Sequence, residues 1–339
     1  MKKQPPQKLP VLSLVVPIHN EEGNLQNFFE RTFQIVSEMD LSWELIFVND
    51  GSSDNSMTEA LRLHEQHGEV NVVDLSRNFG KEIALSAGLD YATGDAIVEI
   101  DADLEHPPEV IVDLVEKWRE GFEIVFATRK SRLAEPILKR VSARIYYKIF
   151  GWLSKIENHD KLGDFCLLDR CVVDKLIEFP EHNRFMKGLV AWTGFRQGFV
   201  SYELGSRNSG ESKWNYWRLW NFALEGITSF SSIPLKLWTY VGGFIALLAF
   251  IYTIIIVTRT IVFGIDVPGY ASLLSVVLFL GGVQLIGLGV LGEYIGRIFT
   301  EVKNRPLYIV QGAYGFDHDK RAGDAPQSVK KSNKIVGNT

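Results

Sequence analysis

Cysteine is scarce in this sequence, and positive charge is not in excess. The 339 residues include two cysteines, Cys166 and Cys171, which are too few for a disulfide framework and lack the second ligand pair of a zinc site. The formal net charge of -5 argues against nucleic acid as a general partner. The composition therefore excludes a disulfide scaffold, a zinc domain and a general nucleic-acid binder as first hypotheses.

The first apolar stretch lacks the features of a signal peptide. It is short, contains Pro17, runs directly into His19-Asn20-Glu21-Glu22 and offers no small-residue cleavage site. We therefore interpret it as the first strand of a folded domain that follows an N-terminal tail of residues 1–10.

Charge is absent from two long stretches towards the C-terminal end. Residues 237–258 and 267–292 contain no charged side chain, and each is long enough to span a bilayer, which takes about 20 apolar residues. A pair of buried core helices is the alternative, but charge-free core helices of this length are rare in soluble folds. The sequence predicts two transmembrane helices, over residues 235–263 and 270–299.

Basic residues flank the outer ends of this pair of stretches. Lys213, Arg218 and Lys236 precede the first stretch, and Arg297, Lys303 and Arg305 follow the second. The positive-inside rule then places both chain ends in the cytoplasm and the loop of residues 259–270 on the opposite side. Residues 214–234 are rich in Trp and Tyr, which favours an interfacial helix over an ordinary core helix.

The first 130 residues alternate between short apolar runs and amphipathic segments. Predicted strands, rich in Val, Ile and Phe, cover residues 12–18, 43–48, 70–75, 96–100 and 123–128. Predicted helices cover residues 24–38, 54–67, 81–91 and 108–119. This alternation predicts a doubly wound, Rossmann-like α/β domain with a mostly parallel sheet. Residues 306–310 favour one further short strand, whose partner the sequence does not identify.

Polar motifs directly follow four of the predicted strands. They are His19-Asn20-Glu21, Asn49-Asp50-Gly51-Ser52-Ser53-Asp54, Ser76-Arg77-Asn78-Phe79-Gly80-Lys81 and Asp101-Ala102-Asp103. Because ligands of such sheets bind at the carboxyl ends of the strands, the four loops predict one common site.

The carboxylates of Asp101 and Asp103 are the most informative pair in these loops. Two carboxylates in a cleft can share a hard divalent cation that also binds a substrate's phosphates. The alternative is a helix cap and a solvated acid, since Pro107 and Pro108 suit a first helical turn. The neighbouring loops favour the metal site.

Other side chains in the loops suit a nucleotide. Asp50 and Glu21 are candidates to accept hydrogen bonds from a nucleoside, although turn chemistry alone explains the Gly51–Asp54 run. Four cations lie at or near strand ends, namely Arg77, Lys81, Arg129 and Arg132. One or two of them would neutralise a diphosphate, although each taken singly could equally be a solvated surface residue.

Three later segments complete the pattern. Residues 207–214 combine cations, hydroxyls and a glycine, which suits either a bound phosphate or contact with anionic lipid. Asp164 is a candidate acid, base, sugar contact or turn cap, and its spacing leaves these roles open. Residues 136–155 predict a basic amphipathic helix, and residues 317–339 predict a disordered tail.

Taken together, these motifs resemble a known family. VPIHNE, NDGSSD, SRNFGK, DADLEHPPE, GDFCLLDR and RNSGESKW occur in the order typical of the polyprenyl-phosphate glycosyltransferases of glycosyltransferase family 2, over about residues 10–305. The C-terminal hairpin resembles the bactoprenol (undecaprenyl-phosphate) glucosyltransferases rather than the related soluble dolichol-phosphate mannose synthases.

The resemblance implies a GT-A fold over residues 11–213, a Mg²⁺ or Mn²⁺ ion, and inverting transfer of a hexose from UDP-glucose to undecaprenyl phosphate. It also implies a bacterial inner-membrane protein, a juxtamembrane segment over residues 300–316, and a homo-oligomer such as a tetramer. Alternatives are a GDP-mannose, UDP-N-acetylhexosamine or aminoarabinose donor, a processive polysaccharide synthase, and a non-enzymatic sensor of nucleotide sugars. The processive synthases usually carry a Q-x-x-R-W motif, which this sequence lacks.

The resemblance also assigns residues. Asp101 and Asp103 match the metal and diphosphate positions, with Glu105 as a third ligand. Donor contacts would be Pro17, Asn20, Glu21, Asp50, Lys81, Asp101, Ala102, Asp103 and Arg129. Contacts to the acceptor phosphate would be Arg129, Arg132, Arg207, Ser209, Ser212 and Lys213. The predicted catalytic group is Asp103, Asp164, Arg207 and Lys213. The family often has Asp at the position of Asn49 and Gln at that of Glu105, so this chain differs in charge at both.

Overall fold

The computed structural model describes residues 11–129, 163–182, 184–202, 233–263 and 269–316. Contacts divide the chain into two compact units. The first contains the described residues up to Tyr202 together with residues 305–316, and the second contains residues 233–263 and 269–304.

The first unit is built on a sheet of eight strands in the order β7-β5-β6-β4-β1-β2-β3-β8. The strands are β1 Val11–Ile18, β2 Ser42–Asn49, β3 Val70–Leu75, β4 Ala96–Glu99, β5 Ile124–Arg129, β6 Cys166–Asp169, β7 Gln197–Tyr202 and β8 Val310–Tyr314. The helices of this unit are α1 Leu25–Val36, α2 Ser56–Gln66, α3 Lys81–Tyr91, α4 Val110–Arg119, α5 Arg170–Glu178 and α6 Met186–Trp192. This is the mixed, mostly parallel sheet of a GT-A-like α/β fold.

Strand β1 lies at the centre of the parallel part, between β4 and β2. Its alternate residues point to opposite faces of the sheet, and both faces are covered, which explains its nearly continuous apolar sequence. Leu14 belongs to the same core cluster as Phe28 of α1 and Leu114 of α4, while Val15 faces Gly88 of α3. Complete burial of one such Leu or Phe side chain contributes about 1.5–3 kcal/mol. The sheet is therefore a rigid base for the loops at its edge.

The predicted elements of the first 130 residues are present. Each of the five strands begins and ends within one residue of its predicted bounds, and each of the four helices within two. Helix α4 begins at Val110, two residues after the predicted start at Pro108. Pro107 and Pro108 form the turn that leads into it, since their carbonyls accept hydrogen bonds from Val110 N at 3.1 Å and Ile111 N at 3.0 Å.

The two ends of the sheet differ from the prediction. Strand β6, antiparallel to both neighbours, lies between β4 and β5, so β5 does not pair directly with the parallel set. The predicted strand at residues 306–310 was also misplaced, since β8 begins at Val310. It pairs antiparallel with β3, and Tyr308 before it donates a hydrogen bond to Asp90 Oδ2 at 2.5 Å.

The second unit contains α7 Ile233–Phe263 and α8 Tyr270–Val302. The segments Tyr240–Phe263 and Phe279–Val302 are long and apolar enough to cross a membrane, and their side chains are almost all unburied within this unit. Helix α8 continues three residues beyond the predicted end at residue 299. The predicted amphipathic helix at residues 136–155, most of the interfacial segment and both terminal tails lie outside the described residues.

Candidate active site

An open cleft of about 320 Å³ lies at the carboxyl ends of the parallel strands. It is lined by Pro17, Ile18, His19, Glu21, Asp50, Asn78, Gly80, Lys81, Asp101, Ala102 and Asp103. Seven of the predicted donor residues are in this lining, namely Pro17, Glu21, Asp50, Lys81, Asp101, Ala102 and Asp103. The sheet topology thus brings together the four loops that the sequence places after strands.

Asp50 holds the third loop of the cleft in place. Its Oδ1 accepts a hydrogen bond from Phe79 N at 2.6 Å, and its Oδ2 accepts one from Gly80 N at 2.9 Å. The residue is only 3% exposed. Hydrogen bonds from backbone amides to an ionised carboxylate are among the strong ones in proteins. The sequence predicted a nucleoside contact here, and the structure adds a role in fixing the loop that begins α3.

Gly51 allows the second and third loops to approach each other. Its φ is +63°, in the left-handed region, and a Cβ atom at this position would overlap backbone atoms of Arg77 and Asn78. A residue with a side chain would therefore be strained and would also push the third loop away. The glycine of the NDGSSD motif is explained by this close contact as well as by turn geometry.

The first loop is tied to the second through Asn20. Its φ is +58°, its amide N donates to Ser52 Oγ at 3.1 Å, and its side-chain Oδ1 accepts from Ser53 N at 2.8 Å. Asn20 was predicted to contact the donor, but it is not among the residues that line the cleft. Its contacts organise the loops that form the cleft.

His19 and Glu21 flank Asn20 and do line the cleft. The ring Nδ1 of His19 lies 2.9 Å from the carbonyl of Asp50, and its Nε2 lies 3.1 Å from Asn78 Nδ2. Burial raises the pKa of Glu21, a hydrogen bond from Asn24 opposes this, and the carboxylates of Asp103 and Asp101 add to the rise. The sequence did not single out His19 or Asn78 as site residues.

The two carboxylates of the D-x-D motif are held differently. Asp101 Oδ2 accepts a hydrogen bond from Lys81 Nζ at 2.5 Å, and Asp103 Oδ1 accepts one from Glu105 N at 2.9 Å. Burial raises the pKa of Asp103, and the nearby charge of Asp101 contributes to the rise. Burial acts to lower the pKa of Lys81, but the carboxylates of Asp101 and Asp164 outweigh it and raise the pKa above its usual range.

This pair fits a divalent cation that is shared with a ligand. Within the described residues, no group of three His, Cys, Asp or Glu side chains is placed to hold a metal. Mg²⁺ commonly takes only one or two carboxylates and fills its other positions with phosphate oxygens and water. Asp101 and Asp103 both line the cleft, and the hydrogen bonds from Lys81 and Glu105 each engage only one of the two carboxylate oxygens. The role of Glu105 as a third ligand remains a prediction.

Asp164 lies beside the cleft and is held by a lysine that the sequence analysis missed. Its Oδ1 is 2.5 Å from Lys187 Nζ. Burial acts to raise the pKa of Asp164, but Lys187 and Lys81 outweigh it and hold the pKa at about 2. Asp164 is therefore an anion at neutral pH. Gly163 before it is required because a Cβ there would lie 2.5 Å from the carbonyl of Ala127.

Asp164 also lines a small, partly open cavity. Its polar lining consists of Lys81, Glu82, Glu99, Asp164, Cys166 and Lys187. Burial raises the pKa of Glu99 to about 8. Cys166 Sγ donates to Glu99 Oε2 at 3.6 Å, while Glu99 Oε1 has no hydrogen-bond partner among the described residues. Glu99 lies within an apolar strand and has no motif around it, so no local sequence signal identifies it.

The structure describes little of the predicted site for the acceptor phosphate. Outside the described residues lie Arg132, Arg207, Ser209, Ser212 and Lys213, and Arg129 is described only as the last residue of β5. The expected binding site for the acceptor phosphate therefore remains a prediction.

Comparison with known proteins extends these observations. The model for glycosyl transferase family 2 matches residues 13–177, and the model for the GtrB C-terminal hairpin matches residues 233–298. An uncharacterized glycosyltransferase of Synechocystis is 52% identical over 307 residues, which cover 91% of this chain and 96% of that protein. The SfII prophage-derived bactoprenol glucosyl transferase of Shigella flexneri is 48% identical over 305 residues, which cover 89% of this chain and 98% of that protein.

Among solved structures, mannosyl-3-phosphoglycerate synthase from Rubrobacter xylanophilus is similar to this chain with a TM-score of 0.48 and 16% identity. The similarity covers 65% of this chain and 72% of that one.

Proposed function

The chain belongs to glycosyltransferase family 2, and from this premise we propose that it transfers glucose from UDP-glucose to undecaprenyl phosphate, with inversion at the sugar. The product would be a lipid-phosphate-linked sugar at the cytoplasmic face of a membrane. The observation that carries the proposal is the cleft that joins Asp50, Lys81, Asp101 and Asp103 at one edge of the sheet. The relatives named bactoprenol glucosyl transferases support the choice of sugar and lipid.

The cleft offers complementary groups to both halves of a nucleotide sugar. Lys81 contributes positive charge close to Asp101, where it would attract a diphosphate as well as hold the carboxylate. Asp50 and Glu21, which line the same cleft, would supply acceptors for the nucleoside. A pocket with a few convergent polar groups of this kind supports binding of one small, charged substrate.

Asp101 and Asp103 would hold the Mg²⁺ or Mn²⁺ ion, whose charge would stabilise the leaving diphosphate. Lys81 already neutralises part of the charge of Asp101. The raised pKa of Asp103 reflects burial first and the nearby negative charge second, and a bound cation would offset both.

Asp164 supports a mechanism without a general base. A carboxylate whose pKa is about 2 is a weak proton acceptor at neutral pH, because it holds a proton poorly. A lipid phosphate is already an anion and needs no deprotonation before it attacks the anomeric carbon. Asp164 would then serve as a fixed negative charge beside the sugar, where positive charge develops in the transition state.

The acceptor would meet this site at the membrane surface. Helices α7 and α8 are apolar over lengths that can cross a bilayer, which supports an integral membrane protein with both termini in the cytoplasm. The acceptor phosphate would be held by Arg129, Arg132, Arg207, Ser209, Ser212 and Lys213. The proposal includes a homo-oligomer such as a tetramer, which is implied by the family resemblance alone.

A transfer assay with purified full-length protein tests the metal role. Labelled UDP-glucose, undecaprenyl phosphate and Mg²⁺ or Mn²⁺ should give a labelled lipid that extracts into organic solvent and disappears with EDTA. Asp103→Ala should lose at least about 100-fold in rate, whereas Asp113→Ala, on the exposed side of α4, should retain it. Undiminished product from Asp103→Ala would refute the metal role, and a long polymer in place of a lipid-linked monosaccharide would favour a processive synthase.

A further inference from the structure

Lys187 lies in the first turn of α6 and contacts Asp164 across the fold. The two residues are far apart in sequence, yet Lys187 Nζ is 2.5 Å from Asp164 Oδ1, and the lysine side chain is the more buried of the two. Lys187 projects from a short helix in which Met186, Leu189 and Val190 are buried.

The backbone at the start of α6 is fixed to α3. Met186 N donates a hydrogen bond to Glu82 Oε2 at 3.0 Å. The residue before Glu82 is Lys81, whose ammonium group bonds to Asp101. Neighbouring residues at the beginning of α3 therefore secure both the D-x-D motif and the helix that carries Lys187. This arrangement gives Lys187 a fixed origin from which to hold Asp164.

The charges around Asp164 favour a single ionised state. Among the described residues, the titratable groups that act on Asp164 or line the adjoining cavity include Lys81 and Glu82 from α3, Glu99 from β4, Cys166 from β6, Lys187 from α6, and His106 from the turn before α4. Of these, Lys187 and Lys81 act most strongly to keep Asp164 ionised. Within the part of the chain that the structure describes, Lys187 forms the ion pair with Asp164, whereas Lys81 forms one with Asp101.

We propose that Lys187 is a positioning residue of the transfer site, which orients Asp164 as a fixed anion towards the sugar end of the donor. The inference rests on the proposed function, because it assigns Asp164 to the sugar that this function transfers. Lys187 acts through Asp164 and not by contact with the diphosphate. Its substitution should therefore change the rate of transfer much more than the affinity for the donor.

Steady-state kinetics of the full-length protein test this proposal. Lys187→Met should lower kcat by about 10–100-fold, since small misplacement of a catalytic group has costs of this size. The KM for UDP-glucose should stay within about threefold of wild type, because ground-state binding of the donor is retained. Lys187→Arg should restore most of the rate. Lys175→Met, which removes an exposed lysine of α5 paired with Glu178, is the matched control and should behave as wild type.

Two further readouts separate positioning from a purely structural role. Without Lys187, the pKa of Asp164 should move from about 2 towards or above the ordinary aspartate value of about 4. Since the anion is the active form, the rate of Lys187→Met should then fall at a higher pH than that of wild type as the solution is acidified. In a double-mutant cycle, Lys187→Met should add little to the loss caused by Asp164→Asn.

Three results would overturn the proposal: an unchanged acid limb, a raised KM with kcat preserved, or full additivity with Asp164→Asn. The wild-type reaction is measured first in the same assay. A wild-type protein that transfers no sugar would contradict the proposed function, whereas an active wild type with one of these variant results would contradict the role of Lys187 alone.

Discussion

Substitution of Asp50 by Asn separates loop support from ligand contact. Asp50 Oδ1 and Oδ2 each accept a backbone N–H, from Phe79 at 2.6 Å and from Gly80 at 2.9 Å. Asn keeps one acceptor oxygen but turns its own N–H₂ group towards the second amide. One hydrogen bond to a charged acceptor is lost and a backbone N–H is left without a partner, which together should cost about 2–4 kcal/mol of unfolding free energy.

Thermal unfolding of the purified protein measures this loss. For a domain of this size, about 1 kcal/mol lowers the midpoint by roughly 2–4 °C, so a loss of about 2–4 kcal/mol in Asp50→Asn should lower it by roughly 4–16 °C. The KM for the nucleotide sugar should rise as well, because the released Phe79–Gly80 segment borders the cleft.

The matched control is Asp169→Asn. Asp169 also accepts a backbone N–H, from Cys171 at 2.9 Å, together with Trp118 Nε1 at 2.7 Å, but it does not line the cleft. This variant should lower the unfolding midpoint without raising the donor KM. If Asp50→Asn kept the wild-type midpoint and lost only donor affinity, the loop-support role would be refuted and Asp50 would act as a ligand contact alone.

Three other substitutions probe the same framework. Gly51→Ala should lower the free energy of unfolding by about 1–3 kcal/mol and weaken donor binding, because of its positive φ and the contact with the third loop; unchanged thermal unfolding would contradict this. Asn49 Nδ2 donates a hydrogen bond to Asp74 Oδ1 at 2.7 Å, so Asn49→Asp would replace this bond by two facing carboxylates and should cost about 1–3 kcal/mol of unfolding free energy at pH 7. The loss should be smaller at pH 5, because protonation of one carboxylate relieves the repulsion, and an equal loss at both pH values would count against this explanation. Glu99 has a folded-state pKa raised to about 8 by burial, so its protonated form favours folding and wild-type stability should decline as pH rises from about 4.5 to about 8. Glu99→Gln should reduce this decline by up to about 1.4 kcal/mol per pH unit, and parallel stability curves for the two proteins would argue against a neutral Glu99.

The sequence is most informative where local patterns and topology agree. The strands around β1 are buried on both faces, so each appears as a short apolar run whose ends are clear. Their carboxyl ends meet at one edge, and this is why Asp50, Lys81 and Asp101 could be assigned to one site before their distances were known.

Pairings between residues far apart in the sequence could not be predicted from local patterns. Strand β6 is only four residues long, and its place between β4 and β5 depends on antiparallel pairing with both. Strand β8 follows α8 in the chain and pairs with β3, which no local pattern reveals. The contact between Lys187 and Asp164 likewise depends on how α6 packs against α3. In each case the signal lies in tertiary contacts and not in spacing.

The mass of the reaction product tests the proposed transfer of glucose to undecaprenyl phosphate most directly. Purified full-length protein is incubated with undecaprenyl phosphate, a divalent cation and each of UDP-glucose, GDP-mannose and a UDP-N-acetylhexosamine in turn. The proposed function predicts a lipid product heavier than undecaprenyl phosphate by one hexose residue, formed fastest from UDP-glucose. Donor turnover without any sugar-bearing lipid, or a lipid product formed only from another donor, would contradict the proposed acceptor or the proposed sugar respectively.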